Sequence, residues 1–337
     1  MSKLKMLILD DEEGLIGRSP GLERMKSHAD VRVLSGTFDK VPAKVLAQVQ
    51  VLMAVRERTK LDAEALSRMS ALELILQTGG HAYHLDADYA SSKGIPVSLT
   101  RRAFGPKAAV PELTFALAVN TLRMIPAAQD SMAEGRWEPF LGRTLRGRTL
   151  GILGTGRHGA TVARIAATFG MRVIGWQRTP ETTPPDGVEL LPLEELLAQS
   201  DVVSIHLKLT DQSRGLLDAG KLALLKPGAV LVNTARGAIV DEQALVERLR
   251  SGEISAGLDV FAQEPLAEDS PLRTLPNVVL TPHIGWTVQE VLMEFADIVA
   301  DQLEDYLSGG LKRSELLNPG VILAKTAHGA LTPADPE

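Results

Sequence analysis

The sequence predicts an α/β protein built from two doubly wound parallel-sheet domains, the second inserted into the first. Three observations predict it. Short β-type runs alternate with helical segments in two successive series along the 337 residues, which is the signature of parallel sheets with crossover helices. A glycine loop at 154–159 separates a strand from a helix in the second series. A single amphipathic helix follows the second series, and one helix cannot bury its own apolar face, so it is expected to return to the first domain. With 45% apolar residues the chain can supply a core for each domain.

In the first series the expected strands are 6–9, 31–34, 51–55, 73–76 and 95–97, with helical segments such as 43–49 and 62–69 between them. A loop containing Gly105, Pro106 and Pro111 is expected next, followed by an apolar helix at 113–124. The first crossing between domains is placed there. In the second series the expected strands are 149–153, 172–176, 202–207, 229–233, 256–260 and 278–281, six in all, as in a dinucleotide-binding sheet. From 288 to 307 the apolar residues Val288, Val291, Leu292, Phe295, Ile298, Val299 and Leu303 recur at helical spacing. The resulting division is 1–108 with 288–337 against 109–287. From about Thr326 the Ala, Pro, Thr and Asp content suggests a mobile tail.

Composition narrows the function. A formal net charge of −6 without a long basic run gives no electrostatic footprint for nucleic acid or an anionic membrane. Small molecules are the expected partners. The absence of cysteine excludes disulfides, thiolate metal sites and thiol nucleophiles. Lys3 and Lys5 precede only Met6–Leu9 before a run of acids, too short an apolar stretch for an export signal, so the expected compartment is cytoplasmic. No run approaches the ~18 apolar residues of a membrane span.

The loop Gly154-Thr155-Gly156-Arg157-His158-Gly159 follows a strand and opens a helix whose Val162, Ile165, Ala166 and Phe169 share a face. In that context the first glycine permits a tight turn, the second lets the backbone approach a pyrophosphate, and the third lets helix and strand pack closely. Backbone N–H groups and the positive helix end then bind the phosphates. A turn that binds nothing is the plainer reading, and the complete strand, loop and helix argue against it. The next strand ends at Trp176-Gln177-Arg178-Thr179, where NAD-binding sheets commonly carry an acid that receives the ribose hydroxyls. A neutral Gln177 would not repel a 2′-phosphate, and Arg178 could pair with one, so the expected cofactor is NAD(P) with a lean to NADP or dual use.

Arg236, Glu264 and His283 each follow an apolar run of the second series. In an open parallel sheet such positions share one rim. A guanidinium suits a carboxylate or a polarised carbonyl, an imidazole can pass a proton near neutrality, and a carboxylate beside it favours the imidazolium. Each residue alone is equally a surface charge or a satisfied polar group. Three of them at strand ends beside a dinucleotide loop point to hydride transfer with acid catalysis.

The segments Gly151–Gly159, Asn233–Gly237 with Asp241, Gly257–Phe261 through Glu264-Pro265, and Pro282–Gly285 resemble the D-isomer-specific 2-hydroxyacid dehydrogenase family, most closely from about Leu150 to Gly285. The resemblance implies a Rossmann cofactor domain inserted in a flavodoxin-like substrate domain, and a homodimer formed largely through the cofactor domains. It implies a catalytic cation at Arg236 that also binds substrate, and an acid/base at His283 paired with Glu264. It further implies substrate carboxylate binding by the backbone at Gly79, Gly80 and His81, and cofactor contacts from His206, Thr234, Ala235, Asp259 and Gly285. The implied reaction moves a hydride between a nicotinamide cofactor and a 2-keto or D-2-hydroxy acid, glyoxylate- or hydroxypyruvate-like or larger.

The chain departs from the family at His81, Tyr83 and His84, where a Gly-Val-Asp-Asn-like run is common, and at Pro111 and Lys208. These departures touch substrate choice rather than reaction type. His81 and His84 have a possible metal spacing, but no third nitrogen or sulfur ligand is in view and no metal is expected. A receiver-like reading of Asp10-Asp11-Glu12 fails because Val51–Val55 leads into Arg56, Glu57 and Arg58 rather than an aspartate. The alternative function is a non-enzymatic dinucleotide sensor or corepressor on the same fold, against which the complete Arg, Glu and His set argues.

Overall fold

The computed structural model describes residues 3–34, 37–178 and 183–321. Thr179 and the expected tail lie outside them. The chain divides into two compact units, 1–105 with 288–337 and 106–287.

The first unit begins with β1 (Leu4–Ile8), α1 (Pro20–His28), β2 (Ala29–Val33), α2 (Ala43–Leu46), β3 (Val51–Ala54), α3 (Ala63–Ser67), β4 (Leu74–Gln77), α4 (Ala87–Ser92) and β5 (Val97–Leu99). Its five strands are all parallel in the order β2-β1-β3-β4-β5, the 2-1-3-4-5 arrangement of a flavodoxin-like sheet. β3, β4 and β5 are buried throughout, which is why they read as continuous apolar runs rather than alternating ones. Helix starts are set by side chains that take up an orphan N–H: Ser19 accepts from Leu22, Asp62 from Ala65 and Asp86 from Tyr89. β5 starts two residues later than the apolar run suggests, because Pro96 has no N–H to give to the ladder.

In the second unit α5 (Gly105–Arg123) and α6 (Ile125–Ala133) precede β6 (Thr149–Leu153), α7 (Arg157–Thr168), β7 (Arg172–Trp176), β8 (Glu189–Leu190), α8 (Leu193–Gln199), β9 (Val202–Ile205), α9 (Ala219–Ala223), β10 (Val230–Asn233), α10 (Glu242–Arg250), β11 (Ser255–Leu258) and β12 (Val278–Leu280). Its parallel sheet runs β12-β11-β10-β9-β6-β7-β8. Counted within the unit and read from the β8 edge, this is the 3-2-1-4-5-6 order with a seventh strand added. The chain reverses direction across the sheet between β6 and β9, so the crevice at their carboxyl ends is the ligand position for such a sheet.

Two expectations are corrected. The stretch with Gly105, Pro106 and Pro111 is helix, not loop. Pro106 occupies the first turn, where its missing N–H costs nothing, and Pro111 is accommodated inside a helix that buries Ala109, Phe115, Leu117, Ala118 and Leu122 in the core. The second sheet has seven strands among the described residues rather than six, the extra one being the exposed two-residue edge β8, too short to leave a pattern.

The last helix, α11 (Gln289–Ser308), belongs to the first unit. Val291, Leu292, Phe295, Val299 and Leu303 are buried. It lies so close to α1 that a Cβ on Gly21 would come within 2.5 Å of the Ala296 backbone, and Arg24 bridges the pair through Asp301 at 2.6 Å and Glu304 at 2.8 Å. Gly309, with φ +80°, ends it. Among the described residues no single helix is long and apolar enough to cross a membrane.

Candidate active site

The glycine loop occupies the β6/β9 crevice. Gly154, at φ +96°, turns the chain against the end of β9, where a Cβ would meet the His206 carbonyl at 2.7 Å. A Cβ on Gly159 would meet the Gly154 carbonyl at 2.0 Å, so glycine is required for α7 to seat on β6. Gly156 differs from both. Nothing lies within 4 Å of the position its Cβ would take, leaving open space above the first turn of α7. Such a cradle, with N–H groups at a helix start and room over its middle glycine, fits a pyrophosphate.

Around the loop, Thr155 donates its hydroxyl to Gln177 Oε1 at 2.6 Å, tying the loop to the end of β7. Arg178 is exposed and bonds Gln212 Oε1 in the segment after β9. His206 Nε2 lies 2.7 Å from Ser204 Oγ. Burial, with a smaller push from His158, depresses the His206 imidazole to about 3 and keeps it neutral. Thr234 is buried, with its hydroxyl 3.0 Å from that of Thr114 on α5. Ala235 N–H donates to Asn233 Oδ1 at 3.0 Å.

The expected carboxylate–imidazole pair is present. His283 Nδ1 lies 2.6 Å from Glu264 Oε2, and the other oxygen, Oε1, accepts from Phe261 N–H at 2.9 Å. Burial alone would push the Glu264 carboxyl up. The bonds from His283 and Phe261, with the charges of His283 and Arg236, outweigh it and leave Glu264 below the usual carboxylate range. Arg236 therefore acts on the pair electrostatically; its own Nη1 donates to the Ala235 carbonyl at 2.6 Å. The residue is held in place by Asn233 Nδ2, which donates to the Arg236 carbonyl at 3.0 Å.

His283 sits at φ +57°, a left-handed conformation that a non-glycine residue adopts only when its surroundings impose it. Asp259 imposes it. Only 1% exposed, this carboxylate accepts from Ile284 N–H at 2.8 Å, Gly285 N–H at 2.9 Å and the Thr281 hydroxyl at 2.6 Å. Gly285 leaves room for the clasp, since a Cβ there would lie 3.0 Å from Asp259 Oδ2. Burial raises the Asp259 carboxyl, and these bonds with the His283 charge oppose the rise. The sequence named Asp259 for the cofactor; its grip on the His283 turn is an additional contact that no spacing rule reveals.

In the first unit, Gly79 has φ +97° and its N–H donates to Thr100 Oγ1 at 2.6 Å. The Gln77 amide donates to the carbonyls of Arg56 and Thr78 at 3.0 and 2.8 Å. These partners, Thr100 and Gln77, were not singled out from sequence, because polar residues at the end of a buried strand carry no local signature. Gly80 is exposed with nothing within 4 Å of a Cβ position. His81 pairs with Glu57 at 2.5 Å and stacks on Tyr83 at 4.7 Å. Burial lowers the neighbouring His84 imidazole. Among the described residues no group of three or more His, Asp and Glu is arranged to hold a metal ion.

Comparison with known proteins agrees with this architecture. Residues 115–285 match the model of the D-isomer specific 2-hydroxyacid dehydrogenase NAD binding domain. A D-3-phosphoglycerate dehydrogenase of Methanocaldococcus jannaschii is 35% identical over 298 residues, covering 87% of this chain and 56% of that protein. The chain thus spans little more than half the length of that relative. A glyoxylate reductase of Aeropyrum pernix is 40% identical over 262 residues, covering 74% of this chain and 78% of its own. Among solved structures, a protein of Thermus thermophilus superposes with a TM-score of 0.82 at 34% identity, covering 93% of this chain and 100% of that one. By sequence, fold and site, this chain belongs to the D-isomer specific 2-hydroxyacid dehydrogenase family.

Proposed function

We propose that the protein is a NAD(P)-dependent oxidoreductase that interconverts small 2-keto acids and D-2-hydroxy acids. The observation that carries this reading is the His283–Glu264 pair at 2.6 Å, held beside Arg236 at the carboxyl end of a dinucleotide-type sheet. Residues 106–287 form the cofactor-binding unit, and 1–105 with 288–337 the substrate-binding unit. The glycine loop would hold the pyrophosphate, with Thr155, Gln177, Arg178, His206, Thr234, Ala235 and Gly285 along the rest of the cofactor. A bound nicotinamide supplies the hydride. Arg236 presents a cation to the substrate carboxylate and carbonyl. His283 delivers the proton to the new hydroxyl through Nε2, since Nδ1 is committed to Glu264. The turn at Gly79, Gly80 and His81 receives the carboxylate through the backbone of Gly80 and His81, with Gly79 anchored by its own N–H to Thr100.

Gln177 in place of an acid, with exposed Arg178 beside it, supports NADP or dual use. A homodimer is supported by exposed apolar side chains on α6 and just beyond it, Met132 at 56%, Trp137 at 86% and Leu141 at 93% exposure. The lack of cysteine suits a reducing cytoplasm. The test is purified protein with NADH or NADPH and a panel of glyoxylate, hydroxypyruvate and phenylpyruvate. Loss of reduced-cofactor absorbance with at least one acid is expected; cofactor binding without turnover on any acid would overturn the enzyme reading in favour of a dinucleotide sensor.

A further inference from the structure

The segment that leaves β3 sets two arginines and a glutamate beside the turn at Gly79, Gly80 and His81. Arg56 stands at φ +59°, in the left-handed region, and its backbone is fastened to the end of β4. Its N–H donates to Thr78 Oγ1 at 2.8 Å, and the Gln77 amide donates to its carbonyl at 3.0 Å. The guanidinium lies against the turn, where a Cβ on Gly79 would overlap Nη1. Two arginines within three residues, next to a turn read as the carboxylate site, would suit a substrate with a second anionic group. Each of them already faces a carboxylate of this chain. Arg58 forks onto Glu13 through two bonds at 2.8 and 2.5 Å and donates again to the Asp10 carbonyl at 2.7 Å. Glu57 sets one oxygen, Oε2, 3.5 Å from Arg56 Nη2 and the other, Oε1, 2.5 Å from His81 Nδ1. His84, whose imidazole is lowered by burial, adds no charge at neutral pH.

Charge at this rim is therefore balanced from within, and Glu57 is the acid that touches the turn. Its side chain and that of His81 are 26% and 27% exposed, open enough for a bound substrate to meet and buried enough to be poorly screened by salt. We propose that Glu57 is a specificity-determining residue, confining the protein to 2-keto acids whose only negative charge is the C1 carboxylate and rejecting those that end in a second carboxylate or a phosphate. The inference rests on the reading of the turn at Gly79, Gly80 and His81 as the carboxylate site. A substrate seated there brings the rest of its chain into the field of Glu57, one side chain away. A second anion could pair with Arg56 or Arg58 only by displacing Glu57 or Glu13, and the displaced, partly buried carboxylate would be left without its partner. A hydroxyl or an apolar group meets no such penalty.

Matched pairs of substrates test it. 4-Methyl-2-oxopentanoate and oxaloacetate share one heavy-atom skeleton, with an isopropyl group in the first where the second has a carboxylate; hydroxypyruvate and its 3-phosphate form another pair. The ratio of kcat/KM within each pair is measured with NADH or NADPH on the wild type and on Glu57→Gln. Both members are assayed on one preparation, so the ratio does not depend on the fraction of protein that folds. The wild type should favour the singly charged member of each pair by about tenfold or more. Glu57→Gln should raise the relative kcat/KM of the more highly charged member by about tenfold, the scale of one like charge met at several ångströms in a partly buried setting. Glu57→Ser, which also removes the charge, should behave alike and serves if the glutamine variant folds poorly. A wild type that uses the more highly charged members as well as their partners, or a ratio that neither variant moves, overturns the proposal. A wild type that binds cofactor but reduces neither these acids nor glyoxylate overturns the oxidoreductase reading itself, a separate result.

Discussion

Alanine at Gly156 separates a glycine kept for ligand approach from one kept for folding. Its φ of −68° is open to any residue, and nothing stands within 4 Å of the added methyl. The free protein should therefore lose little, within about 0.5 kcal/mol, as for surface substitutions generally. Gly159→Ala is the contrast, because its methyl would sit 2.0 Å from the Gly154 carbonyl and 3.1 Å from Ile152 Cγ2. Both obstacles belong to the β6 turn, so the helix must move off the strand by roughly 1 Å, at the ~1–3 kcal/mol of an overpacked core. The gain of alanine over glycine in a helix, ~1 kcal/mol, offsets only part of that. If phosphates pass over Gly156, its methyl occupies their space and should weaken dinucleotide binding by roughly 1–3 kcal/mol, about 5- to 150-fold in Kd. Urea unfolding and fluorescence titration with NADH and NADPH on both variants provide the measurement. Unchanged affinity in a stable Gly156→Ala protein would refute the assignment of this loop to the pyrophosphate, and equal destabilisation of the two variants would refute the argument from space.

The remaining predictions concern the catalytic side. His283→Ala should lower kcat by about 10²- to 10⁴-fold, the usual worth of a general acid, with cofactor Kd nearly unchanged; parallel losses in both would mark a structural histidine. Gln177→Asp should shift kcat/KM towards NADH, because a carboxylate there repels a 2′-phosphate and accepts the ribose hydroxyls; a wild type already strongly selective for NADH would remove the premise. Asp259→Asn should destabilise by about 1–3 kcal/mol, since one backbone N–H of the clasp then faces an amide donor. Asp259 has a raised folded-state value, so its ionisation equilibrium favours the fold below the unfolded 3.8 and that contribution is lost as pH rises through the folded value. The deficit of the variant, measured by urea unfolding at about pH 4 and about pH 7, should accordingly narrow towards neutrality; a deficit that widens would show that the clasp outweighs burial.

Much of this molecule is legible in its sequence because the signals are local. β6 and β7 fall at the expected residues, since a buried parallel strand bounded by glycine leaves both a run and a stop. The glycine loop is legible for the same reason, with strand, turn and helix contiguous. What sequence misreads are cases where tertiary burial overrides a local rule. Pro111 reads as a break, yet α5 continues through it because the helix face it lies on is core. β8 reads as nothing because two exposed residues borrow their strand geometry from β7. Thr100 and Gln77 are invisible because their value lies in reaching backbone groups of other elements, Gly79 in one case and Arg56 in the other.

The proposed triad of Arg236, Glu264 and His283 shows where the two kinds of information meet. Sequence can put Arg236, Glu264 and His283 at strand ends, but strand ends alone do not bring a ring nitrogen within 2.6 Å of a carboxylate. That distance depends on a left-handed residue at 283, and the left-handed residue depends on Asp259, buried at the end of the neighbouring strand β11. Asp259 is in turn placed by sheet register, its own N–H donating to the Asn233 carbonyl at 3.0 Å, while the Asn233 side chain donates to the Arg236 carbonyl. One pair of adjacent strands, β10 and β11, therefore fixes both the cation and the turn that carries the imidazole. A carboxylate costly to bury is retained at that junction because three N–H and O–H donors converge there, two of them from the turn itself. The geometry of the proposed acid is thus a property of the sheet, and a substitution that preserves Arg236, Glu264 and His283 but shifts the register of β10 on β11 should disable the proposed site as surely as losing one of them.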